Sequence, residues 1–498
     1  MKYIGPFFRI NSLTSLEIES QLFFLSREAL KHIVLQSRCG LIASSKTSKK
    51  YLSNNDINII KDFSPLLCIY KKGSPKFAST KHFHGWSDDG VKKEISSSSN
   101  ALMTLSILEL SEFYAKFEKS SSINYSMAKI YRALAKQQLD FYSKQLRNTD
   151  GVFVDKKNLS EGNSEFNLMD KDKKFKFSDQ ALMMVAYYLY WNICTFDEDR
   201  EMYKDFSLDI LNMFLNYKEE IYDLSFQECC KICFAFNTLY KYSNNDDVKL
   251  FLIDITDYLV DKYNEKNYIL DNLDYSCLMA INLHLSYKNT GIESFKDNFL
   301  QISERHKRLF DDTSGIFLKP MEKKDIKYDC TEVNNYMLNM LIYEEYDSSR
   351  DFKAMISTLF RQFYITSGLV ISWPDAPSLD SDERYKNLTL NSADLIDESM
   401  FRVSTTPSPD TTGTAPIFLK KISYSKKKEN FVTSKITFDS AKNLTNFFNI
   451  IFLFKDTIMK SFFLTEETLP KEKVEMDISE NEVLDITEKI TDETHNKI

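Results

Sequence analysis

The feature that most constrains the fold is a pattern that recurs along the chain up to about residue 403. In each unit an amphipathic helix is followed by a turn with a short extended piece, and then by a second, more apolar helix. The extended pieces begin at Gly151, Tyr222, Tyr268, Gly315 and Gly368, so successive units lie 46 to 71 residues apart. Periods of roughly 40 to 50 residues are typical of tandem helical hairpins, in which each pair covers the apolar face of the next.

The pattern predicts the helices of each pair individually. The first helices are predicted over residues 126–147, 204–217, 248–263, 295–310 and 352–364. The apolar second helices are predicted over residues 178–191, 225–240, 275–287, 331–346 and 393–403. A further apolar helix over 101–117 raises the number of units to about six. The chain has 11 glycines and 10 prolines in 498 residues, well below the usual roughly 7% and 5%, which favours helices joined by polar turns.

Four regions are predicted along the chain. They are an N-terminal strand and helix cap over 1–60, the helical-hairpin domain over 61–404, a C-terminal hairpin and helix over 417–464, and an acidic mobile tail over 465–498. A Thr/Pro-rich linker separates the helical-hairpin domain from the C-terminal region. In that C-terminal region two segments of alternating apolar and polar residues flank a polar turn, as in a β-hairpin, and a helix over 440–463 follows.

Charge and hydrophobicity argue against two kinds of partner, nucleic acids and membranes. The net charge is −8, but −5 of it belongs to residues 471–498, so the remaining body is nearly neutral. Nucleic-acid binding depends on a basic surface and is therefore not expected. The most apolar segment, 447–454, is far shorter than the roughly 20 residues of a membrane-spanning helix. We expect neither a nucleic-acid nor a membrane partner.

The sequence also indicates a cellular setting. The N-terminus lacks the apolar stretch of an export signal, and the eight cysteines mostly stand singly in apolar segments, as reduced and buried thiols do. The heavy use of Lys, Asn, Ile, Tyr and Phe is typical of an AT-rich bacterial genome. The prediction is a cytoplasmic bacterial protein.

Two turns carry a resemblance to a known superfamily. Asp150 to Phe153 (Asp-Gly-Val-Phe) and Ser314 to Phe317 (Ser-Gly-Ile-Phe), each placed before an apolar helix, resemble turns of the six-hairpin (α/α)6 toroids. Many glycoside hydrolases, sugar epimerases and polysaccharide lyases belong to that superfamily, and the resemblance covers roughly residues 75–403. It implies an all-α fold of tandem hairpins closed as an (α/α)6 toroid, and the residue pattern after it adds a small C-terminal β-hairpin plus helix. An open solenoid is the alternative.

The toroid implies where a site would lie. The N-terminal ends of the inner helices line one mouth of the ring, so acidic side chains there can meet across it. Glycoside hydrolysis needs one protonated and one ionised carboxyl group, and the candidates for catalysis are Asp179, Asp329 and Asp394. The candidates for substrate binding are Tyr328, Glu332, Trp373, Asp375 and Arg384.

A structural interpretation of the same acids stays open. Acidic residues at helix starts accept backbone N–H bonds and complement the helix dipole, so these residues can simply be helix caps. Only three tryptophans occur in the chain, which is few for a cleft that stacks sugars on aromatic rings.

The sequence contains little that indicates a metal or cofactor site. Cys229, Cys230 and Cys233 share one predicted helix and can offer two thiolates, but a structural zinc site needs four ligands. His82 and His84 can likewise offer two imidazoles. Motifs for dinucleotide binding, P-loops, serine hydrolases and zinc metalloproteases are missing. The prediction is no metal and no cofactor.

Two functional hypotheses follow. The first is a cytoplasmic carbohydrate-active or carbohydrate-binding protein of unknown substrate, possibly glycoside hydrolase-like. The second is a non-catalytic helical-repeat scaffold that binds a protein partner through its surface or its acidic tail. Fold alone does not decide between an enzyme and a scaffold.

Overall fold

The computed structural model describes residues 13–43, 52–61, 63–80, 83–87, 89–119, 121–160, 166–171, 174–319, 324–374 and 413–463. The chain divides into two compact units, Met1–Asp456 and Thr457–Ile498. The predicted helix over 393–403, most of the predicted N-terminal strand and the predicted tail over 465–498 lie outside the described residues. Within the described ranges, no helix is both long and apolar enough to cross a membrane.

Helices dominate the described chain. They are α1 (Ser15–Gln36), α2 (Asn54–Ile60), α3 (Ser97–Ala115), α4 (Ser122–Gln145), α5 (Phe177–Ile193), α6 (Glu201–Asn216), α7 (Lys218–Tyr222), α8 (Phe226–Ser243), α9 (Asp246–Glu265), α10 (Tyr268–Asp271), α11 (Leu273–Thr290), α12 (Glu293–Lys307), α13 (Cys330–Tyr343), α14 (Arg350–Phe360) and α15 (Ser440–Phe463). A π-helical turn, Arg361–Thr366, continues α14.

The helices form an inner and an outer layer. Along the inner layer α3, α5, α8, α11 and α13 contact one another in chain order. These helices are apolar nearly all round, and α3 is buried at almost every position from Ser97 to Tyr114. Outer helices bury one stripe only, as α6 does with Tyr203, Ser207, Ile210, Leu211 and Phe214. A helix covered on all sides belongs in the interior, whereas a one-sided stripe marks a helix with a solvent face.

Helix α15 closes the inner layer into a ring. Its Asn449 side chain donates to Asn335 Oδ1 of α13 at 3.5 Å, and its Lys455 ammonium lies 2.6 Å from Glu109 Oε2 of α3. In the outer layer α1 contacts both α3 and α14. Six inner helices (α3, α5, α8, α11, α13, α15) thus face six outer ones (α1, α4, α6, α9, α12, α14), and the predicted (α/α)6 toroid is confirmed.

The C-terminal helix has the predicted bounds, but it does not stand beside the ring. It occupies the sixth inner position, next to α13 and α3. The predicted hairpin before it is also present, as β12 (Lys421–Ser425) paired with β13 (Asn430–Thr433), and β11 (Asp325–Asp329) extends it to a three-stranded antiparallel sheet.

The other strands are short. They are β1 (Gly40–Ile42), β2 (Leu66–Ile69), β3 (Lys72–Gly73), β4 (Phe77–Thr80), β5 (Phe83–Trp86), β6 (Glu94–Ile95), β7 (Lys156–Asn158), β8 (Leu168–Asp170), β9 (Phe310–Asp311), β10 (Ile316–Phe317) and β14 (Phe438–Asp439). Strands β11 and β14 end directly at the first residues of α13 and α15. Their pairing with β12 and β3 therefore fixes where these two inner helices begin.

Two of the predicted extended pieces are wrong. The piece at Tyr222 is the last residue of α7 followed by a turn, and the piece at Tyr268 is helical, in α10. Among the described residues no strand pairs with the second of them, and its backbone is satisfied locally, since Leu270 N donates to Asn267 O at 3.1 Å. The piece at Gly315 does contain a strand, β10, which pairs with β9.

A buried charge cluster joins three inner helices near the ends opposite their N-termini. The side chains of Lys455 and Glu109 are 3% and 0% exposed. Tyr242 of α8 donates to the other Glu109 oxygen at 2.5 Å, and Lys455 also pairs with Glu112. Burial disfavours the ammonium, but the attraction of the two glutamates outweighs it and raises the pKa of Lys455. The pair therefore stays charged inside the ring.

We expect Lys455→Met to destabilise the protein by about 3 to 5 kcal/mol, because it leaves Glu109 buried without a counter-ion. Urea unfolding monitored by circular dichroism measures this loss. The double variant Lys455→Met with Glu109→Gln should recover most of it, since no unpaired buried charge remains. Lys460→Met, at an exposed lysine of the same helix, serves as the control and should change stability by less than about 0.5 kcal/mol. A loss below about 1 kcal/mol in the first variant would contradict the prediction.

Candidate functional site

A cavity of about 220 Å³ lies at the mouth of the ring, where the N-terminal halves of the inner helices meet. Each of the six inner helices contributes to its wall. The lining residues are Ser98, Leu102, Lys176, Ser178, Asp179, Leu182, Lys231, Phe234, Asp274, Tyr275, Leu278, Thr331, Asn335, Ala441, Lys442, Thr445 and Asn449. Because the chain returns to this mouth six times, side chains far apart in sequence share one small space with both polar and apolar walls.

A second cavity of about 300 Å³ opens beside the first. Its lining includes Lys319, Asp329 and Glu332, and it shares Asp274 and Lys442 with the first cavity. The two cavities are therefore neighbouring compartments of one mouth.

Asp179 is a buried carboxyl group in the third position of α5. It is 5% exposed, and its carboxylate makes no hydrogen bond or ion pair with any residue in the described ranges. Burial raises the pKa of Asp179 to about 7; Asp155 and Glu228 add to the rise, while Lys176 and Lys231 oppose it. Asp179 is thus not a helix cap, and a large fraction of it is protonated at neutral pH.

Asp274, in the first turn of α11, is better supported as an anion. Burial raises its pKa, and nearby Asp329 adds to the rise, but Lys442, Lys319 and the backbone N–H of Tyr275 oppose the shift. That N–H donates to Asp274 Oδ1 at 2.9 Å. The first cavity therefore brings together two carboxyl groups with different environments, one without a partner and one with charge support.

Asp329 and Glu332 form the cap of α13. Thr331 N donates to Asp329 Oδ1 at 3.0 Å, and Asp329 N donates to Glu332 Oε2 at 3.4 Å, as in a capping box. Each acid also has a lysine partner: Lys442 lies 2.9 Å from Asp329, and Lys319 lies 2.7 Å from Glu332. Burial raises the pKa of Glu332 to about 7 although Lys319 opposes the shift. For Asp329, the capping interpretation describes the observed contacts.

The aromatic candidates lie away from both cavities. Tyr328 is fully buried, donates its hydroxyl to Phe317 O at 2.5 Å, and packs against the rings of Phe317 and Phe363. Its predicted role in substrate binding is corrected accordingly, because no face of the ring is available to a ligand. Trp373 is 9% exposed and packs edge-on against Phe360. Asp375, Arg384 and Asp394 lie outside the described residues.

Sequence reasoning alone does not find the lysines of the mouth. Lys176 precedes α5, Lys231 lies in the second turn of α8, and Lys442 lies in the first turn of α15. A lysine near a helix start is normally interpreted as a solvent-exposed surface residue. These lysines can be recognised only when their helices are known to belong to the inner ring. For α15 that knowledge depends on tertiary contacts.

The cysteine and histidine candidates do not form a metal site in the described part of the chain. Cys229, Cys230 and Cys233 are fully buried, and Cys233 contacts Thr256 and Asn237. Within the described ranges, no group of three or more His, Cys, Asp or Glu side chains is arranged to hold a metal ion. His82 and the side chain of His84 lie outside those ranges.

Comparisons with known proteins find likeness only among solved structures. No protein-family model and no curated protein matches the sequence. The fold is similar to that of cellobiose 2-epimerase from Bacillus thermoamylovorans, with 9% identity, a TM-score of 0.46, and coverage of 86% of this chain and 98% of that chain. A D-mannose isomerase has 9% identity, a TM-score of 0.46, and coverage of 82% and 96%.

An endoglucanase from the termite Nasutitermes takasagoensis has 12% identity and a TM-score of 0.44, with coverage of 91% of this chain and 99% of that chain. At this distance each of these activities is that of the neighbour alone. The description of this chain as an (α/α)6 toroid comes from its own two layers of helices.

We expect Asp179→Asn to stabilise the protein at high pH and to have little effect at low pH. The pKa of this carboxyl rises from 3.8 to about 7 on folding, so the folded state holds the proton more tightly than the unfolded state. Stability is therefore lost as the pH rises from about 4 to about 7. Removing the carboxylate should raise the free energy of unfolding at pH 8 by up to about 4 kcal/mol, measured by denaturant unfolding at pH 4 and pH 8.

A cap should behave in the opposite way. Asp329→Ala removes the side-chain acceptor of the Thr331 N–H at the start of α13 and the ion pair with Lys442, and should destabilise the protein by about 1 kcal/mol at pH 8. If Asp179→Asn also lowers stability at pH 8, Asp179 is held by favourable contacts and our description of it is wrong.

Proposed function

We propose that this protein is a carbohydrate-active enzyme, and that it cleaves a glycosidic bond in the cavity at the mouth of the ring. The observation that carries the proposal is Asp179, a buried carboxyl group without a partner, which shares the 220 Å³ cavity with a second carboxylate, Asp274. Glycoside hydrolysis depends on such a pair, in which the environment keeps one carboxyl protonated and the other ionised.

The roles follow from the two environments. Asp179, with a pKa of about 7, donates its proton to the oxygen of the leaving sugar as the glycosidic bond breaks. Asp274, which accepts the Tyr275 N–H and lies near Lys442, acts as the ionised partner that activates water or attacks the anomeric carbon. If Asp274 attacks the anomeric carbon, water then breaks the bond between the sugar and Asp274, supplies the hydroxyl of the product and returns its proton to Asp179. If Asp274 instead activates water directly, Asp274 takes the proton of that water, and Asp179 regains its own proton from solvent.

Carboxylate chemistry is preferred over imidazole chemistry because of where the histidines lie. Neither of the two described cavities has a histidine in its lining. His306 is fully buried between α11 and α13, where Ser276 and Asn339 contact its ring nitrogens, and burial lowers its pKa to about 3. A proton-transfer role at neutral pH therefore belongs to the carboxyl groups. The alternative is a scaffold that binds a protein partner on its surface or through the acidic tail, and that tail lies outside the described residues.

We expect Asp179→Asn to reduce kcat/KM for glycoside hydrolysis by about 100- to 10,000-fold, because it removes the general acid. Asp274→Asn should cause a loss of at least about 100-fold. The assay is chromatographic detection of sugars released from α- and β-linked disaccharides and oligosaccharides, which need leaving-group protonation. Asp209→Asn, at an exposed aspartate on the outer helix α6, is the control and should stay within about twofold of the wild type.

The pH profile adds a second test. Because the acid must be protonated, kcat/KM should fall as the pH rises through about 7, the pKa of Asp179. The proposal fails if no glycoside in the panel is cleaved. It also fails if hydrolysis survives in both Asp179→Asn and Asp274→Asn.

A further inference from the structure

The two cavities of the mouth meet at Asp274 and Lys442, which line both of them. Asp179 lines the first cavity alone, so Asp274 is the member of the carboxyl pair that stands at the boundary. The first cavity, of about 220 Å³, is smaller than the roughly 300 to 1,000 Å³ of most small-molecule sites. The second cavity, of about 300 Å³, brings the whole mouth into that range. A ligand that fills the mouth therefore extends past Asp274 into the second compartment.

One part of the second cavity's lining carries two ion pairs. Lys319 lies 2.7 Å from Glu332, and Lys442 lies 2.9 Å from Asp329. The backbone N–H of Asp329 donates to Glu332 Oε2, which holds the two pairs side by side. Each pair presents a donor next to an acceptor, so one hydroxyl of a sugar ring can donate to the carboxylate while its neighbour accepts from the ammonium. Hydrogen bonds to charged groups are the stronger kind.

A second part of the lining is apolar. Ile269, Leu270 and Leu273 come from α10 and the start of α11. Leu270 is 40% exposed, and a single exposed leucine on an open surface needs no explanation. Here it lines a cavity together with charged groups, as in sites that combine apolar walls with a few polar groups that fix orientation. A sugar ring has the matching form, because its C–H faces are apolar and its hydroxyl groups lie around the edge.

The charges of the second cavity favour a neutral ligand. Its lining contains four acidic residues and two lysines, and both lysines already have a carboxylate partner. An anionic group would meet more negative than positive charge, and a cationic group would lie beside two ammonium groups. A hydroxyl group both donates and accepts, so it can bind either member of an ion pair.

We propose that the second cavity binds a neutral sugar unit joined to the unit in the first cavity, so that the substrate is an oligosaccharide of at least two units, cleaved beside Asp274. This inference rests on the proposed function, because it names the substrate class of the same site. The bond that water cleaves is the glycosidic bond between the two units. Lys319, Glu332 and Leu270 recognise the unit in the second cavity, while Asp179 and Asp274 carry the chemistry.

The test compares disaccharides with their monosaccharides. Isothermal titration calorimetry of the full chain carrying Asp179→Asn, at pH 8, measures binding without rapid turnover. The ligands are D-glucose, D-galactose, D-mannose and D-xylose, and the α- and β-linked disaccharides of each. At least one disaccharide should bind about tenfold or more tightly than its monosaccharide, because the second unit gains charge-assisted hydrogen bonds. This ratio of affinities does not depend on which cavity the monosaccharide prefers.

Variants assign the ratio to the second cavity. Glu332→Gln, added to Asp179→Asn, should reduce the ratio about tenfold, and Leu270→Ala should reduce it about threefold. Glutamine keeps the length of Glu332 and an acceptor for the Asp329 N–H, and burial already raises the pKa of Glu332 to about 7, so this variant should fold. Leu250→Ala, at an exposed leucine of the outer helix α9, is the matched control and should leave the ratio within about twofold.

Three results would overturn the inference, and each bears differently on the proposed function. If disaccharides bind no more tightly than monosaccharides, the second cavity does not recognise a sugar, and cleavage of a glycoside with a non-sugar leaving group is still allowed. If a preferred disaccharide keeps its advantage in both variants, its second unit binds elsewhere and the glycosidase stands. If no sugar of either length binds, the inference is rejected, and the hydrolysis assay decides the proposed function independently.

Discussion

The ring depends on the docking of α15 between α3 and α13, and a buried ion pair sets its register. Lys455 and Glu109 are both out of water, so either charge alone would be costly, and a shift of α15 by one turn would separate them. Lys442 lies thirteen residues earlier on the same helix, about 20 Å away at 1.5 Å per residue. An interaction near one end of the ring therefore determines which lysine reaches the mouth at the other end.

The three acids at the mouth show how environment outweighs position. Asp179, Asp274 and Asp329 all lie at the start of an inner helix, where the helix dipole favours a negative charge. Only Asp329 both caps its helix and holds a lysine within 3 Å. Asp179 has neither contact, and burial decides its pKa. Acids at the starts of neighbouring inner helices thus include one that caps its helix and one that is buried without a partner in the described residues, because their neighbours differ.

Much of the fold can be predicted from the sequence because helical periodicity is a local signal. The predicted bounds of α15 agree with those observed, and all the predicted inner helices in the described ranges are present. The place of α15 in the ring could not be predicted, because no local pattern says which distant helices a given helix will contact. Tyr328 and Asp329 show the same limit for the site. They are neighbours in β11, whose side chains alternate, so one is buried in an aromatic cluster while the other reaches the mouth.

Closure of the ring by its last helix has a consequence for the order of events during synthesis. More than 300 residues are made after α3 before α15 emerges, so until then the flanks of α3 and α13 that α15 covers remain open and Glu109 has no lysine beside it. Such exposed apolar surface is what chaperones bind and what leads partly made chains to aggregate. A hairpin array cut at residue 404 would remain in this vulnerable state permanently, so it would not be an autonomous folding unit.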